Sequence, residues 1–248
     1  MIQKVVPMND ESDEVLREAT MLCDDEREEE AELLILEQLT SYPDNLALMT
    51  KLGVIQARLC KDQEAESSFR AVLGKAPGYE DVICGLGRLL DQSLRTEEAE
   101  KLYRDFLQYN PVGHCALEDL CRILLSEDRS DEALELARTH TEQYGTNPNA
   151  FVARRFVLQI LEDQLEAELN DDRENNILFS QLIDNLLEQL ELVITMMGRF
   201  ESQEDLNSEL NDDKTRILSE LEYLVQSAPS RQISVPDEIQ KRITSIDI

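Results

Sequence analysis

Two histidines, five cysteines and several runs of acid are the residues that could do chemistry here. A histidine works as a general acid or base only when a second group orients it. His114 and His140 have no such neighbour at a recognised spacing. Cys23, Cys60, Cys84, Cys115 and Cys121 are odd in number and form no CxxC pair. Cys115 and Cys121 lack zinc-ligand spacing to any pair of histidines. Reduced, buried thiols are therefore expected, with no metal and no cofactor. The acid runs Asp24–Glu30, Asp171–Asn175 and Asn211–Lys214 lack the D-x-[DN]-x-[DN]-G spacing that wraps calcium in one loop, and they read as solvated loops. No glycine-rich phosphate cradle is written in the chain. Nothing here assembles a catalytic set, so the expectation is a protein that binds and does not catalyse.

Any such residue must be positioned by helices. The chain has 248 residues, 42% of them hydrophobic, with 8 Gly, 7 Pro and no Trp. That is enough apolar matter for a real core and too little turn chemistry for an all-β protein. Leu, Glu, Ala and Gln are strong helix formers. With 24 basic against 53 acidic residues, the formal charge is −29. A field of that sign repels phosphate backbones and anionic lipid, which argues against nucleic acid; the excess either favours basic partners or reflects a generally acidic, salt-adapted proteome. The opening MIQKVVPMNDESDE holds no apolar run of signal-peptide length. No stretch approaches the 18 apolar residues of a membrane span. A soluble, cytoplasmic protein without membrane insertion is expected.

The helices repeat. AESSFRAVLGKAP, from Ala65, returns as AEKLYRDFLQYNP, from Ala99. Four contiguous units follow, 12–45, 46–79, 80–113 and 114–147, after a tail at 1–11. Pro43, Pro77 and Pro111 fall at position 32; Ala31, Ala65, Ala99 and Ala133 at position 20. Position 24 holds Ile35, Phe69, Tyr103 and Ala137, and position 8 holds Ala19, Gly53, Gly87 and Cys121. Small residues at 8 and 20 let two helices approach closely, and large ones at 24 fill the layer between them. Proline at 32 stops the second helix. Acids gather at that helix's start, where free N–H groups favour them.

This pattern resembles the tetratricopeptide repeat (TPR) family, a helix–turn–helix unit with the same small and proline positions. Units 46–79 and 80–113 match best; the fourth loosens, with Gly145 in place of proline. The resemblance implies an all-α, right-handed α-solenoid of about four to five TPR helix pairs. It also implies a concave groove lined by first helices, where a peptide or protein segment binds. Groove positions 2, 5, 6, 9, 12 and 13 include Lys51, Val54, Arg58, Cys84, Arg88, Gln92, Glu118 and Arg122. Base and acid nearly balance there. The arginines suit carboxylates on a bound chain, or else pair internally, Arg88 with Asp91 or Glu118 and Arg122 with Glu118 or Asp119. The family's clamp for a C-terminal acidic tail is absent, since Thr50 and Val54, then Cys84 and Arg88, stand at its positions 5 and 9.

Residues 148–227 read as a degenerate fifth repeat, a long helix and a capping helix, and 228–248 as linker and tail. A helix opens near Asn175, and Phe179, Ile183, Leu186, Leu190, Val193, Met197 and Phe200 recur in steps of four and three. That is dimer-seam spacing, and a homodimer is one reading. Leu182, Leu187 and Ile194 widen the stripe, so a helix packed inside its own chain is the other. Acidic breaks are expected at Glu162–Glu174 and Glu201–Asp213. Three function classes follow: an adaptor or assembly scaffold, a self-assembling structural protein through 175–200, and a dedicated chaperone for an exported protein.

Overall fold

The computed structural model describes residues 10–172 and 175–231. Among them there is no strand; the fold is an all-α repeat. The expected N-terminal tail lies almost wholly, and the C-terminal tail beyond residue 231 entirely, outside the described residues. The chain forms two compact units, divided between Leu120 and Cys121.

Unit 1 holds α1 (Asp10–Asp24), α2 (Glu28–Ser41), α3 (Leu46–Arg58), α4 (Asp62–Lys75), α5 (Glu80–Gln92), α6 (Thr96–Tyr109) and the start of α7 (His114–Ser126). α1 packs on α2, α3 on α4 and α5 on α6. Each second helix turns back after three residues, so each pair is an antiparallel hairpin. Hairpin meets hairpin through α2 on α3 and α4 on α5, and α3 also touches α1 and α5.

One turn recurs in every hairpin. Glu26, Cys60, Leu94 and Asp128 all adopt φ between 56° and 60°, although none is glycine. In each case that residue's N–H bonds the carbonyl three back, and the next N–H bonds the carbonyl five back, as in Leu94 to Asp91 (2.9 Å) and Arg95 to Leu90 (2.8 Å). This is the Schellman closure of a helix. It satisfies carbonyls that a cut helix leaves open, and the left-handed residue is its steric cost. Leu94 is left 92% exposed there.

The glycines at position 8 have a different neighbour from the one expected. A Cβ on Gly53 would lie 2.7 Å from the Phe69 ring, and one on Gly87 would lie 2.2 Å from the Tyr103 ring. What presses on position 8 is therefore the aromatic side chain of position 24, not the backbone of the partner helix.

Unit 2 holds the rest of α7, α8 (Ser130–Tyr144), a 3-10 turn at Pro148–Phe151, α9 (Val152–Asp171), α10 (Asn176–Arg199), α11 (Glu204–Ser227) and a last 3-10 turn at Ala228–Arg231. α10 packs against α9 and α11, and α8 packs on α9. Asn175 caps α10, accepting from the N–H groups of Ile177 (3.0 Å) and Leu178 (3.1 Å). Both acidic stretches differ from expectation. α9 continues through the first to Asp171, carrying Leu165 and Leu169 into the core. α11 begins at Glu204, inside the second, with Glu204 and Asp205 in its first turn. Acids there meet the positive end of the helix and favour it.

The stripe on α10 is spent inside its own chain. Phe179, Ile183, Leu186, Leu190, Val193 and Phe200 are all buried, and Met197 is partly buried against the same core. Leu182 and Leu187 join them, so α9, α11 and the 3-10 turns enclose the helix. Of the two readings of that spacing, the intrachain one describes its burial. No described helix is long and apolar enough to cross a membrane.

Candidate functional site

The first helices of unit 1 meet by a simple rule: position 9 of one repeat faces position 6 of the next, 31 residues on. Lys51 Nζ donates to Thr20 Oγ1 at 2.8 Å. Arg88 Nε donates to Asp119 Oδ2 at 2.8 Å. The interval is one repeat less one helical turn, which brings side chains on adjacent, similarly directed helices level. Arg88 is thus paired internally, but with Asp119, not with Asp91 or Glu118. Helix periodicity alone did not supply that one-residue distinction.

The Arg88–Asp119 pair is asymmetric. The arginine side chain is about half exposed (52%), while the aspartate is 2% exposed. Burial works against the guanidinium charge, yet Asp119 holds the Arg88 pKa above its ordinary value. Tyr103 adds its hydroxyl, 3.3 Å from Asp119 Oδ2, and burial raises the Tyr103 pKa. A buried carboxylate with an exposed guanidinium over it presents positive charge outward.

The other expected groove residues fall in three settings. Val54 and Gln92 are exposed, and Glu118 is half-buried. Arg58 turns toward the preceding hairpin, donating to the Cys23 carbonyl of α1 at 2.8 Å and pairing with Glu28 of α2 at 2.7 Å. Cys84 is buried and lines no open surface, a correction to its place among the groove residues. In unit 2, the Arg122 guanidinium lies 5.3 Å from the centre of the Phe156 ring. Cys60 is exposed and Cys115 half-buried, whereas all five thiols were expected inside; the other three are buried. His140 is buried, with Nδ1 3.4 Å from the Ala150 carbonyl.

A second row of cations was missed. Arg27, Lys61, Arg95 and Arg129 share position 16, just before each second helix. Arg95 bonds Glu98 and Glu66, each at 2.7 Å, and Lys61 bonds Glu32. Those bonds hold the Glu66 carboxyl below its usual pKa. Their 34-residue recurrence was the signal; Lys61 and Arg95 tie one second helix to the one before it, while Arg27 and Arg129 pair with Glu30 and Glu132 on their own second helices.

Two clusters have donors a metal could use: Cys84, Cys115 and Asp119, and Glu162, Glu166 and Glu220. Each already contains a guanidinium, Arg88 on Asp119 and Arg216 on Glu162 at 2.7 Å. In unit 2 the buried Glu162 also accepts from Gln189 at 2.6 Å, which closes a network across α9, α10 and α11. An open cleft of about 290 Å³ beside it is lined by Phe156, Gln189, Arg155 and Arg216. Its arginines are paired, Arg155 with Glu209 and Asp213 and Arg216 with Glu162, so their charge is already matched.

No protein-family model and no curated protein matches the chain. Among solved structures it is similar to a tetratricopeptide repeat protein from Parabacteroides merdae. Identity there is 17%, with 97% of this chain and 100% of that one covered and a TM-score of 0.49. A thermophilic TPR protein of Thermus thermophilus is similar at 14% identity, covering 81% and 97%, with a TM-score of 0.49. PilF of Pseudomonas aeruginosa is similar at 18% identity, covering 89% and 94%, with a TM-score of 0.48.

Proposed function

We propose that this chain of helical hairpins is a non-catalytic protein-interaction module, an adaptor or assembly scaffold. Its ligand is an extended peptide or protein segment laid along α1, α3 and α5. The observation that supports this most is Lys51. In a chain with 53 acidic residues, its ammonium hydrogen-bonds a hydroxyl and pairs with no carboxylate among the described residues. Val54 stands exposed one turn further along the same face. The two together suit a segment that offers a carboxylate beside an apolar side chain. Arg88 adds outward positive charge on the neighbouring helix, and the acid elsewhere on the surface favours basic residues flanking the segment.

Self-assembly through 175–200 finds no support in a stripe already covered by its own chain. Panning a random-peptide display library against the purified protein tests the main reading. Selected sequences should converge on an acidic residue next to an apolar one. Their binding should fall at least tenfold in Lys51→Glu and in Val54→Glu, about 1.4 kcal/mol each. Convergent peptides that bind both variants unchanged would place the site on another face, and no convergence would remove the reading.

A further inference from the structure

Between α5 and α7 two thiols meet that lie 31 residues apart in sequence. The sulfurs of Cys84 and Cys115 and a carboxylate oxygen of Asp119 all lie within 4.8 Å of one another. Cys84 stands at position 5 of one repeat and Cys115 at position 2 of the next, so the interval that pairs Arg88 with Asp119 also pairs these cysteines. Their environments differ. Cys84 is 2% exposed, whereas Cys115 is half-buried. The Arg88 guanidinium donates to Cys115 Sγ, with Nη2 at 3.5 Å.

These surroundings divide the roles. A hydrogen bond from the Cys84 thiol lowers the Cys115 pKa; burial and the Asp119 charge oppose it, and Arg88 assists. The same bond, with burial, raises the Cys84 pKa. A thiolate is the nucleophile, and a partly exposed thiolate beside a cation is the setting in which cysteines react. Cys60 is more exposed, but among the described residues it has no cation on its sulfur.

We infer that Cys115 and Cys84 form a peroxide-responsive dithiol, with Cys115 as the attacking sulfur and Cys84 as the resolving one. The Cys115 thiolate attacks one oxygen of hydrogen peroxide. The O–O bond breaks, hydroxide leaves and takes up a proton to become water, and Cys115 becomes a sulfenic acid, oxidised by two electrons. The Cys84 thiol then attacks that sulfur, losing its proton to the departing hydroxyl. The S–S bond forms and a second water leaves. In sum, two thiols and one peroxide give one disulfide and two waters. The product staples α5 to α7 across the first-helix face of unit 1, beside Arg88.

The test treats the reduced full-length protein with an equivalent of hydrogen peroxide and maps its peptides by mass spectrometry. A Cys84–Cys115 cross-link is expected as the first product. It should be lost completely in Cys115→Ser and in Cys84→Ala, kept in Cys60→Ser, and formed more slowly in Arg88→Gln. In Cys84→Ala, dimedone should trap the sulfenic acid on Cys115. In the wild type, which needs no variant to fold, iodoacetamide should label Cys115 ahead of Cys84, and that labelling should abolish the cross-link. Peroxide that first joins Cys60 between two copies, or that oxidises Cys115 past the sulfenic stage while Cys84 stays reduced, would overturn the assignment.

Discussion

At the scale of single residues, the hairpins balance one side chain against another across each pair. Position 8 and position 24 read Ala19 with Ile35, Gly53 with Phe69, Gly87 with Tyr103, and Cys121 with Ala137. The smaller residue at 8 goes with the larger at 24, and all but the glycines are at most 1% exposed. In the three hairpins of unit 1 a small residue at 8 makes room for a large one at 24, because packed interiors tolerate neither a void nor a clash; Cys121 with Ala137 is a smaller pair. A methyl group added at Gly53 would stand 2.7 and 2.8 Å from two carbons of the Phe69 ring, inside contact distance. Gly53→Ala should therefore cost about 1–3 kcal/mol in urea denaturation. Combined with Phe69→Ile, which recreates the Ala19–Ile35 pair, it should cost clearly less than the two single changes added together. Strict additivity would mean that the ring is not what position 8 accommodates.

At the scale of elements, the hairpins of unit 1 were legible because their signals are local and repeat. A small residue, an aromatic and a proline, each at a fixed interval, mark two helices and a stop. The α9 and α11 boundaries were not legible, because a run of acids has the composition of a solvated break. Glu162 is 2% exposed only because Arg216 and Gln189 reach it from α11 and α10, a contact between helices that no window of sequence contains. The dithiol is of the same kind, visible only once the 31-residue pairing between first helices is known. Another such contact joins α9 to α11 and carries a pH prediction. Glu166 shares a hydrogen bond with Glu220, and with partial burial and the nearby acids this raises its pKa to about 7. A carboxyl whose folded pKa is raised contributes stability that is full below its ordinary value of 4.5 and is lost as pH rises through about 7. Glu66 and Glu188 are lowered instead, so their contribution is already full above the ordinary carboxylate range and is lost only as pH falls below it. Thermal melts followed by circular dichroism should show the wild type less stable at pH 8 than at pH 5.5. Glu166→Gln should remove most of that difference and raise the midpoint at pH 8. A wild-type curve that is flat from pH 5.5 to pH 8, or a variant that keeps the full slope, would exclude the shared proton.

At the scale of the whole molecule, charge is the dominant long-range term. The sequence holds 53 acidic and 24 basic residues, so pairing every base with one acid still leaves 29 carboxylates unmatched. Many bases do pair, as Arg27 with Glu30, Arg70 with Glu66 and Arg104 with Glu100 along single helices. Exposed pairs of that sort contribute little each, about 0–1 kcal/mol, and salt screens them. Salt also screens the repulsion among the unmatched carboxylates, which acts over longer distances and opposes the folded state. The two effects have opposite signs, so a titration with sodium chloride reports which is larger. The Debye length falls from about 30 Å at 0.01 M to about 3 Å at 1 M. Over that range the thermal midpoint at pH 7 should rise, most steeply at the low end, where repulsion between distant carboxylates is screened first. A steady fall would mean that the paired arginines outweigh the surplus acid. The same titration bears on binding. A segment held by its carboxylate at Lys51 should bind more weakly as salt rises, even while the protein itself becomes more stable. That opposition separates a loss of ligand contact from a loss of fold.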